Sequence, residues 1–258
     1  MIQKVIAFTG LISSLAFLGA APYPLSYIDP AAKQSQYSKL LPKLLEHWPL
    51  PTNSIPDTRP VSVRAIRTPD RPYYIGMVKH FTVHVPMERA AEVIEKFEDY
   101  PKIWEDLVTV KVESTEGNRT VTSWVRKSPT FLMANIRFRM AYIVDKSVPD
   151  RISYRQQLID SNTINYSDGL IVLDKIAPDS TRMSIILFFD ADFSILRGLI
   201  EGVIWRRSVE GSFKDDIAFR ARVEHPDWNL KRITQEAEDA LDHNSFDQIP
   251  YTDAIRFN

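Results

Sequence analysis

The side chains best suited to chemistry in this 258-residue chain sit on stretches with a two-residue period. Ile152, Tyr154, Gln156 and Leu158 form one row, Ile164, Tyr166, Asp168 and Leu170 a second, and Met183, Ile185, Leu187 and Phe189 a third. A fourth holds Ile136, Phe138, Met140 and Tyr142. Its alternate residues include Arg137 and Arg139, which belong in water, so the Phe138 row is expected to face inward. Tyr142, Tyr154, Gln156, Tyr166 and Asp168 are then polar groups on inward faces, where each needs a partner. Either they orient the polar head of a bound molecule, or they bond one another and water. Farther on, Arg207 and Glu210 stand three residues apart on a helical pattern and can neutralise each other. A straight helix sets this pair, with Val203, against the interior, where it could meet a headgroup or carboxylate. A face that drifts around Gly211 puts it in water.

Other chemistries are excluded more simply. The chain has no cysteine, which removes disulfides, thiol nucleophiles, Cys-ligated zinc and iron–sulfur clusters. His80 and His84 share one face of a predicted strand, but that face should be the outer one and no third ligand is in view, so no metal is expected. No nucleophile elbow, P-loop, zinc-protease or dinucleotide motif occurs, and no cofactor is expected. A general base would have to be Asp168, Glu210 or a tyrosine, and no residue qualifies as catalytic. With 32 basic and 33 acidic residues, the net charge of -1 argues against a nucleic-acid partner.

The elements that must position these residues follow from pattern. Phe81, Val83 and Val85 alternate with polar residues as a first strand, and Pro86 starts a short helix from Met87 to Phe97. A second helical turn fits Tyr100 to Leu107. Turn signals then separate six segments: Val108–Ser114, Thr120–Arg126, Phe131–Val144, Ile152–Leu158, Ile164–Leu173 and Met183–Ala191. Strands joined this way form an antiparallel meander. A long helix follows from Ser194 to Val223 and closes at His225-Pro226. The expected fold is α+β, a curved seven-stranded antiparallel sheet wrapped on a long C-terminal helix.

The segment Phe97-Glu98-Asp99-Tyr100-Pro101-Lys102-Ile103-Trp104 follows one helix after a strand ending in Val85-Pro86. It resembles the D-x-x-x-Y-P-x-W region of START-like, Bet v 1-like (SRPBCC) proteins, in particular the polyketide cyclase and coenzyme-Q-binding branch. In this chain aspartate and tyrosine are adjacent, and tryptophan lies three positions after proline. The order of elements from Gly76 to His225 carries the resemblance further than the motif. It implies a helix-grip fold with a cavity between sheet and long helix. It also implies a lipid, sterol, quinone, isoprenoid or polyketide-like ligand, in a carrier or in a cyclase, dehydratase or hydrolase. The residues expected to line that cavity are Trp104, Phe138, Met140, Tyr142, Tyr154, Gln156, Tyr166, Asp168, Ile185, Leu187, Val203, Arg207 and Glu210.

Outside residues 76–225 the chain changes character. Residues 1–20 read as a secretory signal: Lys4 precedes an apolar run from Val5 to Leu18, and Gly19, Ala20 and Ala21 follow. Cleavage after Ala20 and retention as a signal anchor are both open. Residues 21–75 hold ten of the 17 prolines, with one short helix around Tyr37 to Leu45 and an extended strap from Pro49 to Pro72. Residues 226–258 form an acidic tail with a helix at about Leu230 to Leu241, read as a solvated appendage or a cover. The leading expectation is an exported, non-catalytic protein that carries or sequesters a hydrophobic small molecule or lipid, with a membrane surface as donor or acceptor. An enzyme using the same pocket, and an interaction protein with a filled core, are the alternatives. The oligomeric state is left open.

Overall fold

The computed structural model describes residues 61–67, 75–127, 135–191, 201–243 and 255–256. The readings on the N-terminal signal, the helix around Tyr37, most of the strap and the stretch from Ser194 to Ile200 fall outside them. Strand β1 (Ser62–Arg67) opens the described chain and leads to β2 (Ile75–Val83). Helix α1 (Met87–Glu95) and a 3-10 turn (Phe97–Lys102) come next. The meander then runs through β3 (Leu107–Glu116), β4 (Arg119–Arg126), β5 (Ile136–Asp145), β6 (Arg151–Ser161), β7 (Ile164–Ala177) and β8 (Ser180–Ala191). Helices α2 (Glu201–Glu224) and α3 (Leu230–His243) and a two-residue strand, β9 (Ile255–Arg256), complete it.

Strands β2 to β8 are the seven antiparallel strands of the expected sheet, and the spatial order is β3-β4-β5-β6-β7-β8-β2-β1-β9. Two strands extend it. β1 occupies the window between Pro60 and Pro69, the longest proline-free run in the strap, where a ladder donor is present at every residue. It pairs antiparallel with β2, and β9 pairs parallel with β1, so β2 is not an open edge. The opposite edge, β3, carries exposed Lys111, Glu113 and Glu116, charges that discourage further pairing. Register shifts in the β3–β4, β5–β6 and β7–β8 ladders add the local bends that curve the sheet. The β3–β4 hairpin turns on Gly117 and Asn118, with Gly117 at φ +59°, a conformation that glycine adopts without Cβ strain.

Helices α1 and α2 lie on the concave face, and α3 packs on α2. The carbonyl of Pro86 accepts the first helical bonds of α1, from the amides of Arg89 and Ala90, at 3.0 and 3.3 Å. Met87, Ala90, Ala91, Val93 and Ile94 are buried where α1 meets β7, β8 and α2. Phe97 and Tyr100 extend that apolar wall, and the Tyr100 hydroxyl donates to the Ile94 carbonyl at 2.7 Å. The long helix is gripped at both ends of its described half. His84 donates its backbone N–H to Glu224 at 2.8 Å, and Trp104 donates its indole N–H to the Asp215 carbonyl at 2.9 Å.

The acidic tail is part of this packing. The side chain of Asn229 accepts the Arg232 amide at 3.0 Å and so caps α3. Ile233 and Ala237 are buried in the main core, and Glu238 forms an ion pair with Lys214 of α2. Of the two readings of this tail, solvated appendage or cover, its helix takes the second, packing on α2. Replacing Ile233 with alanine should lower unfolding free energy in urea by about 2–5 kcal/mol, the usual cost of a buried aliphatic truncation. A change below about 0.5 kcal/mol would mean the helix is not integral to the fold.

Candidate functional site

Residues opposite one another in an antiparallel ladder point to the same face, so the registers define rows across the concave floor. One row runs Tyr142–Gln156–Gly169–Leu187–Met77, and the next Val144–Tyr154–Ile171–Ile185–Lys79. A third runs Ile152–Leu173–Met183–Phe81. Burial changes along this series. Leu173 and Tyr154 are fully buried, whereas Gln156, Leu187, Ile185, Leu158 and Phe138 are only partly so. The floor is sealed at the α1 end and loosens toward Phe138 and Leu158.

One side of the floor is aromatic. Trp124 stacks on Phe138 with centroids 5.5 Å apart and planes 14° apart, and Phe97 leans on Tyr142 at 4.6 Å. Tyr100 stands between Trp104 and Trp124, at 4.9 and 5.3 Å. Trp124 donates its indole N–H to Thr122 at 2.7 Å, so this wall has its own polar needs met internally.

The middle of the floor does not. Tyr142 and Gln156 are direct cross-strand neighbours, and neither side chain has a hydrogen-bond partner among the described residues. Burial pushes the Tyr142 phenol well above its ordinary range, so the group stays a neutral O–H. Beside them Gly169 contributes no side chain. A Cβ there would meet the Ile186 carbonyl at 2.9 Å and the Gln156 amide oxygen at 3.3 Å. The missing side chain gives the Gln156 amide room to lie across β7.

A charged group flanks the floor. Lys79, 4% exposed, donates to Asp216 at 2.7 Å and to Ser212 at 2.9 Å on α2. The second carboxylate oxygen of Asp216 is buried without a partner among the described residues. Burial outweighs the attraction of Lys79 and, with the Asp215 charge adding to it, raises the Asp216 carboxyl to about 6. On the far side Arg126 of β4 bonds both Asp106 and Asp215, the latter at 3.0 Å. The charge of Asp215, with the bond to Asp106, holds that guanidinium further toward its charged form. Among the described residues no cluster of three metal-ligating side chains exists.

The residues expected from sequence divide accordingly. Phe138, Met140, Tyr142, Tyr154, Gln156, Ile185 and Leu187 share the concave floor, and Trp104 joins its aromatic wall. Tyr154 has a partner, donating to Glu95 at 3.0 Å. Tyr166 and Asp168 are corrected: Asp168 pairs with Gln157 and Phe188, which places it and Tyr166 on the convex face. There Asp168 meets Arg155 at 3.2 Å and accepts the Tyr166 hydroxyl at 3.3 Å. Burial raises its carboxyl above the ordinary value even so. Glu210 is corrected too. It stands one turn before Lys214, on the side of α2 that looks toward α3 and not toward the floor. Val203 and Arg207 lie in the first half of α2, whose side chains are outside the described ones.

Lys79, Ser212, Asp216 and Gly169 lie outside the residues expected from sequence. A signal existed for Lys79, the one charge in the row Met77, Lys79, Phe81, Val83. The Asp216 carboxyl binds its proton more tightly in the fold than at the ordinary 3.8, so stability from this site falls as pH rises from there to about 6. The expected outcome for Asp216→Asn is loss of that slope. In urea unfolding, wild-type stability relative to the variant should decline across this window and level off by about pH 7. A constant difference would remove the assignment.

The comparisons with known proteins agree with this geometry. Residues 75–223, more than half of the chain, match the family described as polyketide cyclase / dehydrase and lipid transport. No curated protein matches the sequence. Among solved structures, a STAR-related lipid transfer protein from Xanthomonas axonopodis aligns with TM-score 0.55 at 11% identity, covering 66% of this chain and 96% of that one. Human STARD10 aligns with TM-score 0.52 at 13% identity, over 72% of this chain and 80% of its own. The lipid transfer and protein localization domain of human StarD13 gives TM-score 0.50 at 12% identity, over 74% and 97%. At such identities the structures speak for a shared START-like helix-grip fold. On the matched length and the fold together, the chain belongs to the polyketide cyclase/dehydrase and lipid transport family of the START-like superfamily.

Proposed function

We propose that this protein is an exported, non-catalytic carrier that holds a hydrophobic small molecule or lipid between the concave sheet face and α2. The observation that carries the reading is the row Tyr142–Gln156–Gly169–Leu187. It combines partly buried apolar surface, a missing side chain and two polar groups that no described residue satisfies. A floor of apolar side chains with a few convergent polar groups is what small-molecule sites are made of. The family's description includes lipid transport, and the relative from Xanthomonas axonopodis is named a lipid transfer protein, which supports the same class of cargo.

The enzyme alternative needs an acid or base on the floor. Asp168, the carboxylate expected for that part, sits on the other face, tied to Arg155. Export rests on Lys4, the run from Val5 to Leu18 and the small residues Gly19 to Ala21. With that address the cargo would be exchanged with a membrane surface, as donor or acceptor.

Native mass spectrometry of protein taken from the exported fraction, followed by organic extraction, tests the reading. A stoichiometric lipid, quinone or isoprenoid is the expected result, and a clean apo mass would count against a resident cargo. Phe138→Arg sets a cation at the loose end of the floor and should abolish co-purification while leaving the fold's circular dichroism intact. Unchanged cargo in a folded variant would remove Phe138 from the site.

A further inference from the structure

The buried ion pair beside the floor has hydrogen-bonding capacity left over. Lys79 spends two of its three N–H groups on Ser212 and Asp216. Ser212 accepts from Lys79 and keeps its own O–H to donate. Asp216, 4% exposed, has one oxygen bonded and the other buried without a partner among the described residues. Leaving a buried charged acceptor unsatisfied is costly, so a donor belongs there. The niche adjoins the ligand floor, because Lys79 pairs in register with the partly buried Ile185.

We propose that the niche formed by Lys79, Ser212 and Asp216 between β2 and α2 binds the hydroxyl end of the cargo, which is an uncharged, hydroxyl-bearing amphiphile and not a fatty acid. This rests on the reading of the concave floor as a ligand site. A hydroxyl is one donor and one acceptor in a single atom pair. Its proton goes to the free oxygen of Asp216, and its oxygen accepts from the remaining Lys79 N–H or the Ser212 O–H. A carboxylate has no proton to offer and brings a second negative charge against Asp216.

Two fluorescent probes with the same polyene chain separate the heads: cis-parinaryl alcohol and cis-parinaric acid, titrated into the full chain. The alcohol should bind about tenfold more tightly, the factor expected from one hydrogen bond to a charged group. Asp216→Leu should abolish that advantage while the acid still binds at least as well as before. Ser212→Ala, a smaller change, should reduce the advantage about threefold, and it carries the test if the Asp216 variant does not fold. Equal affinities in the wild type, or an alcohol advantage that survives both substitutions, would leave the niche to water and overturn the proposal while the floor reading stands. If neither probe binds, the floor reading fails and the proposal with it.

Discussion

Two adjacent aspartates on α2 hold this structure in its curve. Successive residues on a helix point about 100° apart, so Asp215 and Asp216 can reach in different directions from one turn. Asp215 meets Arg126 on β4 and Asp216 meets Lys79 on β2. Four strands separate β4 from β2 in the sheet. One helical turn therefore ties two distant parts of a bent sheet to each other. The two ties differ in character. The Arg126 pair is about one-third exposed and keeps much of its hydration, whereas the Lys79 pair is almost wholly buried. A buried pair contributes less to stability than its Coulomb attraction suggests, because both ions lose water. It does fit only one placement of α2 against β2, since moving the helix by a turn would strand both charges.

That constraint bears on a floor that is fully buried at one end and only partly buried at the other. Where α1 sits on β7 and β8, the rows are filled by Leu173, Met183, Ile152 and Phe81. Nearer Phe138 the sheet is held by its ties to α2 and by the aromatic wall. Gly169 shows the same logic at one residue. Its bare backbone admits the Gln156 amide, and a Cβ would press on the Ile186 carbonyl. A side chain there would displace the amide or push β8 aside.

The order and class of elements were legible in the sequence because each strand repeats with period two and each turn carries its own residues. Parity was legible only where one face is plainly wet. Arg137 and Arg139 marked the outer face of β5, and Arg139 indeed bonds Glu113 and Asp160 at the surface. On β7 no such marker exists. Leu170 and Val172 are buried on one face, Ile171 and Leu173 on the other, so alternation cannot say which is concave. That is why the sequence pattern alone sets Tyr166 and Asp168 on the concave side, where the ladder does not. The helix misled for a related reason. Around its second half Phe213, Asp216, Ile217, Ala218, Phe219, Ala221 and Val223 are all buried, against the sheet, α1 or α3. Two packed sides blur a single stripe, so the pattern points to Glu210 where Asp216 faces the sheet. The partner of Asp216 lies 137 positions away, beyond any local spacing rule.

Family membership fixes the envelope of this molecule and leaves its chemistry to a handful of residues. The same helix-grip frame can surround a reacting centre or a cargo, and the difference lies in what the polar groups on the floor are free to do. Here the tyrosine at the centre is held neutral by burial, and its neighbour is an amide, which neither gains nor loses a proton. The buried carboxylate of Asp216, beside the floor, is already committed to a lysine on β2. Using Asp216 as a base would mean repeatedly discharging one of the ties that hold α2 in place. A group whose charge maintains the walls is better placed to receive a hydrogen bond than to carry a proton through a cycle.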